Sequence, residues 1–342
     1  MGYRYIGSKA RIADEIITYL GKPSSPEARF IDGFSGTGIV ASKAADIGWQ
    51  VVINDMMKNA VVMSEARLLA ECDVPFIKVG GYDKALAELN ALDGCEGFIW
   101  REYSPASKEL CGIERKYFTE QNAKKIDAIM CKVHEWRKKG IITHREFSLL
   151  MANIITATND VANIAGTYGC FLSKWSSAAQ NPIELIPSVL RTEPVQYTAH
   201  NLDVFAIESS NKDTVYLDPP YTKRQYASYY HIHETIVCGD EPVVEGTSGL
   251  RPWKDKASVF CYKAKALDAL VRLITNQKAH RVLLSYSDEG HVKLDQLKEH
   301  LSSHGTVEVI DLGSIGRYRP NKVAVENNAN VCEYLIDFRH GE

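Results

Sequence analysis

Apolar positions along the chain follow two rhythms. Between residues 10 and 20 they recur at Ile12, Ile16, Ile17 and Leu20 and stop at Gly21, which predicts a helix closed by a glycine cap. Short apolar runs predict strands at Arg29-Phe30-Ile31 and Val51-Val52-Ile53, and further candidate strands fall over 195–200, 214–217, 281–285, 306–312 and 331–337. Helices are expected from the first glycine-rich loop to about Ile47, and over 263–277 and 291–302. From about residue 63 to 187 the strand signal disappears. There the segment 124–139 places Ile126, Ile129, Met130, Val133 and Trp136 on one face, with Thr119 as N-cap and Gly140 as stop. The segment 145–160 is richer still in apolar residues, and Trp136 and Trp175 read as core. The pattern is an α/β sheet over residues 1–64 and 188–342, interrupted by a mostly helical insertion over 65–187.

Two motifs stand where predicted strands end. Asp32-Gly33-Phe34-Ser35-Gly36-Thr37-Gly38 spaces its glycines as G-x-x-G-x-G, whereas a dinucleotide loop requires G-x-G-x-x-G. A carboxylate at the head of the loop repels a diphosphate and suits a cation such as the ammonium of a methionine moiety. Asp55, ending the next strand, is placed for ribose hydroxyls. The pair therefore favours S-adenosylmethionine over NAD. The second motif, Asp218-Pro219-Pro220-Tyr221, follows the apolar run Val215-Tyr216-Leu217. Each proline fixes φ and removes a donor, so the chain leaves the sheet in a preset direction. The Asp218 carboxylate and the Pro219 carbonyl are expected to be free acceptors beside the flat Tyr221 ring, at the strand end where open α/β sheets bind ligands. That set fits a planar base bearing an amino group; an Asp-Pro turn without a ligand is the plainer reading.

Composition narrows the choice. The chain has 342 residues, 45% hydrophobic and 24% charged, as expected of a globular protein. No apolar run reaches membrane-spanning length, and the first residues lack a secretory signal, so a cytoplasmic protein is expected. Eight cysteines without a C-x-x-C pair read as reduced and mostly buried, and no metal site is expected. Net charge is −3, yet residues 107–146 carry ten Lys/Arg against six Asp/Glu, a candidate polyanion footprint or a solvated helix face. Basic and aromatic residues are also interleaved over 223–231, which suits a DNA-facing loop or an aromatic core segment.

In these motifs and their order the chain resembles the Dam-like adenine-specific DNA methyltransferases (the alpha group), and most of all the methylases of type II restriction-modification systems. The resemblance is carried by Tyr5-Ile6-Gly7-Ser8-Lys9, by Asp32 to Gly38, by Asn201-Leu202-Asp203 and by Asp218 to Tyr221. Asn159-Asp160-Val161-Ala162-Asn163, Gly166-Thr167-Tyr168 and Arg224-Gln225-Tyr226 extend it. It implies a Rossmann-like S-adenosylmethionine-dependent methyltransferase sheet with helices on both faces and an inserted target-recognition domain. It implies methylation of the 6-amino group of a flipped-out adenine, with Asp218, Pro219, Pro220 and Tyr221 as the catalytic motif. Tyr5, Lys9, Asp32, Phe34, Ser35, Gly36, Thr37, Asp55 and Asp203 would hold the cofactor, Lys9 at its methionine end; a helix-start Lys9 and a turn-forming Asp203 are the plainer readings. Lys223, Arg224, Tyr226, Tyr230, His231, Lys138, Lys139, Arg317 and Arg319 are the expected DNA contacts. Double-stranded DNA is the implied partner, to a monomer or weak dimer, with a cognate restriction endonuclease left open. Methylation of RNA, of the cytosine amine or of a protein glutamine, and a catalytically silent DNA-binding subunit, are the competing readings.

If the basic helix contacts phosphate, Lys138→Ala and Lys139→Ala should each weaken binding to unrelated duplexes and lower the log–log salt slope by about one. Unchanged affinity in a salt titration would make the patch solvated surface.

Overall fold

A computed structural model describes residues 5–315 and 331–341. The chain divides into two compact units. One comprises residues 7–56, 196–225 and 257–342, and the other 1–6, 57–195 and 226–256.

The first unit carries a seven-stranded sheet: β1 (Arg29–Asp32), β2 (Gln50–Asn54), β3 (Tyr197–His200), β4 (Thr214–Leu217), β5 (Arg281–Ser287), β6 (Gly305–Ile315) and β7 (Val331–His340). Their order is β3-β2-β1-β4-β5-β7-β6. The first five strands pair in parallel, and β7 runs antiparallel to both β5 and β6. Every residue of β4 is buried, as are six in succession on β5, the pattern of strands covered on both faces. The Lys263–Thr275 helix directs Ala266, Ala269, Leu270, Leu273 and Ile274 into a core shared with Ile31, Val215, Leu217, Val282, Leu284 and Ile336. β5 and β7 run past their predicted ends because their ladder continues from Val282↔Phe338 to Ser287↔Glu333. Backbone pairing does not require the apolar side chains by which the strands were recognised.

After β1 the chain steps outward to β2 and β3, then returns to β4 on the other side of β1. Such a reversal opens a crevice at the carboxyl ends of the two central strands. Asp32 ends β1, and Asp218 follows β4.

The second unit is built on helices. The predicted amphipathic segment is the Glu120–Lys138 helix, and its expected apolar face, Trp136 included, is buried. It starts earlier than its apolar period suggested, because the Thr119 side chain accepts the Asn122 N–H and caps a polar first turn. The His144–Asp160 helix begins with a capping box between Thr143 and Glu146 and buries most of its length. Trp175 is only half-buried. Residues 226–256 belong with these helices, although the sequence assigned them to the sheet. The reason is local: the buried Glu234 carboxylate accepts from the Lys58 and Asn59 N–H groups, capping the Lys58–Ala66 helix, and pairs with Lys256.

The cysteines correct another expectation. All eight are unpaired, but five are exposed, two are half-buried and only Cys261 is buried. Cys131 shows why, since it stands one position past Met130, just off the apolar stripe of its helix.

Replacing Glu234 with alanine strands two helix N–H groups and a lysine. Urea unfolding of Glu234→Ala should show a loss of about 3–5 kcal/mol. A loss below about 1 kcal/mol would mean the group behaves as a surface charge.

Candidate active site

The glycine loop is fixed from both sides of β1. The Gly33 N–H donates to Tyr216 O (2.9 Å), and a Cβ on Gly33 would lie 3.0 Å from Leu217 Cδ2. Glycine is therefore required there for close approach to β4. Gly38, at φ 74°, turns the chain into the Ile39–Asp46 helix in the left-handed region. Ser35 and Thr37 are buried, and the Phe34 ring meets Phe260 edge-on at 5.7 Å. Asp55 Oδ2 accepts the Gly36 N–H at 3.1 Å, tying the acid after β2 to the loop after β1. Asp32 Oδ1 is buried and has no hydrogen-bond partner among the described residues. Burial, and then the negative charge of Asp218, push the Asp32 carboxyl well above the usual carboxylate range.

Asn54 and Asn201 latch the neighbouring loops. The Asn54 amide donates to Gly33 O and Leu202 O and accepts the Leu202 N–H, while Asn201 donates to the carbonyls of Asp55 and Met56. Asp203, exposed beyond them, accepts the Phe205 N–H through Oδ1 and caps a single helical turn.

At the end of β4, Asp218 is not the free acceptor the sequence suggested. Lys9 reaches it from a helical turn near the N-terminus, with Nζ 3.2 Å from Asp218 Oδ1 and 3.0 Å from Glu333 Oε2. The lysine side chain is 5% exposed and that of Glu333 8%. The Tyr221 hydroxyl donates to Glu333 Oε1 at 3.0 Å, and Nζ stands over the Tyr221 ring, 5.1 Å from its centre. That ring is steadied edge-on by Tyr286 at 5.6 Å. Lys9 is thus held among Asp218, Glu333 and Tyr221, where a place at a cofactor's methionine end was expected. A buried ammonium seeks carboxylates, and two are within reach.

The electrostatics follow from this arrangement. Burial alone would discharge Lys9, but Asp218, Tyr221 and Glu333 more than offset it and the ammonium stays protonated. Burial raises the Asp218 carboxyl to about 6; Lys9 opposes that rise and Glu333 adds to it. One ammonium thus serves two carboxylates.

The expected DNA-facing residues separate into two groups. Lys223, Arg224, Lys138 and Lys139 are exposed, Lys139 in an ion pair with Glu135 one helical turn back. Tyr230 and His231 are interior residues, which corrects their assignment. The His231 ring faces the Tyr168 carbonyl (3.0 Å) and the Tyr103 hydroxyl (3.5 Å), and burial lowers its pKa to about 3. Tyr230 stacks on Tyr5 with centres 4.6 Å apart, and its hydroxyl accepts the Ile6 N–H. Tyr226 is half-buried and donates to Ile6 O. Arg317 and Arg319 lie outside the described residues.

The sequence profile of the D12 class N6 adenine-specific DNA methyltransferases matches residues 5–300. The chain belongs to this family. Type II methyltransferase M.FokI of Planomicrobium okeanokoites is 33% identical over 312 residues, covering 89% of this chain and 47% of that protein. Modification methylase StsI of Streptococcus sanguinis is 30% identical across 97% of this chain and 51% of its own length. Type II methyltransferase M.NlaIII of Neisseria lactamica is 30% identical, with 97% of both chains covered. The chain therefore spans about half the length of the first two relatives and nearly all of the third.

For a D12 class chain, sequence reasoning identified the acids that end parallel strands and missed Glu333 and the Asn54–Asn201 latch. Asn54 stood beside Asp55 in the sequence, and a polar residue closing an apolar strand was the available signal. Carboxyl-selective NMR of the free protein should show Asp218 titrating near 6. A midpoint near the unperturbed value of about 4 would mean that water reaches the pocket freely.

Proposed function

We propose that this chain methylates the 6-amino group of adenine in double-stranded DNA, using S-adenosylmethionine. The observation that carries this reading is the Asp218–Lys9–Glu333–Tyr221 cluster at the end of β4, within the motif Asp218-Pro219-Pro220-Tyr221. Membership of the D12 class supports it.

The residues beside the glycine turn fit the cofactor. Asp32 Oδ1 is a buried acceptor in need of a donor, which an amino-acid ammonium supplies. Asp55 would take the ribose hydroxyls and Asp203 the adenine amine, with Phe34, Ser35, Gly36 and Thr37 forming the turn around the ligand. When bound, S-adenosylmethionine supplies a methyl group activated by its sulfonium.

The amine of the target adenine is a weak nucleophile because its lone pair is delocalised into the ring. Asp218 and the Pro219 carbonyl would accept its two hydrogens, drawing the nitrogen toward a tetrahedral form. Pro220 keeps the chain in its preset exit from β4, and Tyr221 offers a ring for the extruded base to stack on, worth about 1–3 kcal/mol. Base extrusion costs a few kcal/mol, so stacking recovers part of it. Once the nitrogen has gained a methyl it carries a positive charge, and Asp218, poised near 6, can take the surplus proton or pass it to water. Positioning and charge stabilisation supply most of the rate.

The exposed Lys223, Arg224, Lys138 and Lys139 would contact phosphates, which position DNA without reading it. Target recognition is assigned to the helical segment. A cytoplasmic protein acting as monomer or weak dimer, protecting DNA against a cognate restriction endonuclease, is the biological setting. No described helix is long and apolar enough to cross a membrane.

The test is incubation with methyl-labelled cofactor and duplex DNA, followed by digestion to nucleosides. Label should appear in 6-methyladenine; label confined to cytosine, RNA or protein rejects the reading. Asp218→Ala should retain cofactor affinity while methyl transfer falls by about 100–1000-fold. Turnover equal to wild type would remove Asp218 from the chemistry.

A further inference from the structure

Glu333 enters the site from the strand that breaks the parallel pattern. β7 runs against β5, so its second and third residues lie beside the carboxyl end of β5, where Ser287 pairs with Glu333. One carboxylate there does two things. Oε2 meets the Lys9 ammonium at 3.0 Å, and Oε1 accepts the Tyr221 hydroxyl at 3.0 Å. Lys9 in turn stands 3.2 Å from Asp218 and over the Tyr221 ring. One link joins Glu333 to the ring assigned to the target base and the other to Lys9, which pairs with Asp218, and the chemistry assigned above makes no use of Glu333.

We infer that Glu333 is a positioning residue for methyl transfer, fixing the Tyr221 ring and the Lys9 ammonium together and setting the charge beside Asp218. The inference rests on the adenine-methylating function proposed above. Ion pairing alone does not require Glu333, because Lys9 and Asp218 already form a neutral pair. The second carboxylate sets an acid beyond that pair against Lys9 and Tyr221, where it can favour a positive charge that develops nearby. Alkylation of a neutral amine produces that charge. The group also anchors the hydroxyl of the ring on which the base would stack, so loss of Glu333 loosens the ring and weakens the field at once.

The groups facing Asp218 are Lys9, Glu333, Tyr221, Tyr216 and Asp32. Of these Glu333 and Asp32 are the acids; Glu333 holds Asp218 protonated to higher pH, while Asp218 does the same to Asp32. Removing the Glu333 charge therefore lowers the Asp218 midpoint, and the acid limb of the rate profile should move to lower pH.

The experiment uses single-turnover methylation of duplex DNA by the full chain, across pH, with cofactor affinity measured in parallel. Glu333→Gln should lower the rate about 100-fold, the order that a misplacement of about 1 Å costs. Cofactor affinity and KM for DNA should stay within about twofold, and the acid limb should shift down. Glu333→Asp keeps the charge but is too short to span both partners, so its rate should fall while its acid limb stays in place. An unchanged Glu333→Gln rate overturns the inference. So does a loss of rate, cofactor affinity and thermal stability together with no movement of the acid limb, which marks a merely structural group. If Glu333→Gln does not fold, Glu333→Asp and Tyr221→Phe decide: both should lose rate with cofactor affinity intact, and wild-type rates in either sink the idea. Wild-type protein that methylates no DNA adenine overturns the parent reading instead, so the two failures are distinct.

Discussion

An ammonium shared between the buried Glu333 and the partly exposed Asp218 is the constraint around which this site is arranged. Left alone in a dry pocket, Asp218 would keep its proton and be a weaker acceptor for an amine. Lys9 by itself would pull the acid toward full ionisation and occupy it. Burial raises Asp218 to about 6 against the pull of Lys9, and Glu333, which shares the lysine, adds to the rise. Asp218 is thus ionised at neutral pH and still basic enough to receive a proton. Neither carboxylate could be removed without changing what the other does.

The sheet assembles this balance from four distant parts of the chain. Parallel strands deliver Asp32 and Asp218 to one edge because their carboxyl ends coincide. A short turn near the N-terminus delivers Lys9, and the antiparallel β7 delivers Glu333 from the opposite chain direction. The first kind of delivery was legible in the sequence, since an acid following a short apolar run marks a strand end. The last was not, because it depends on which way β7 runs and on its register with β5. The lone acid in Val331-Cys332-Glu333-Tyr334-Leu335 was visible, but no local rule distinguished it from a surface residue. Lys9 was legible as a site residue, though its partners were not.

The stretch after Asp218-Pro219-Pro220-Tyr221 shows how polar side chains can hide a helical spacing. Its interleaved basic and aromatic residues suggested a DNA-facing loop or an aromatic core segment. The folded chain forms helices over Tyr226–Tyr229 and His231–Cys238, and Ala227, Tyr230, His231 and Glu234 fall on one buried stripe. Spacings of three, four and seven residues were present in the sequence, masked by the polarity of histidine and glutamate. Those two side chains could be buried only because partners awaited them: the Tyr168 carbonyl for His231, and a helix N-terminus with Lys256 for Glu234. The central parallel strands were readable from their short apolar runs, while the ends of the β5–β7 ladder escaped.

The Asn54–Asn201 latch has a consequence for the variability of such enzymes. Residues 57–195 leave the sheet just after β2 and rejoin it just before β3, and these strands are immediate neighbours paired through Asn54↔His200. Amide side chains clamp the two junctions to each other through Gly33, Asp55, Met56 and Leu202. The excursion is therefore a closed detour whose endpoints are held by the sheet. Lengthening such a detour carries only a slowly growing entropic penalty. Under the proposed function, in which the helical segment recognises the target, selection could rebuild that segment while the sheet and its carboxylates kept their geometry.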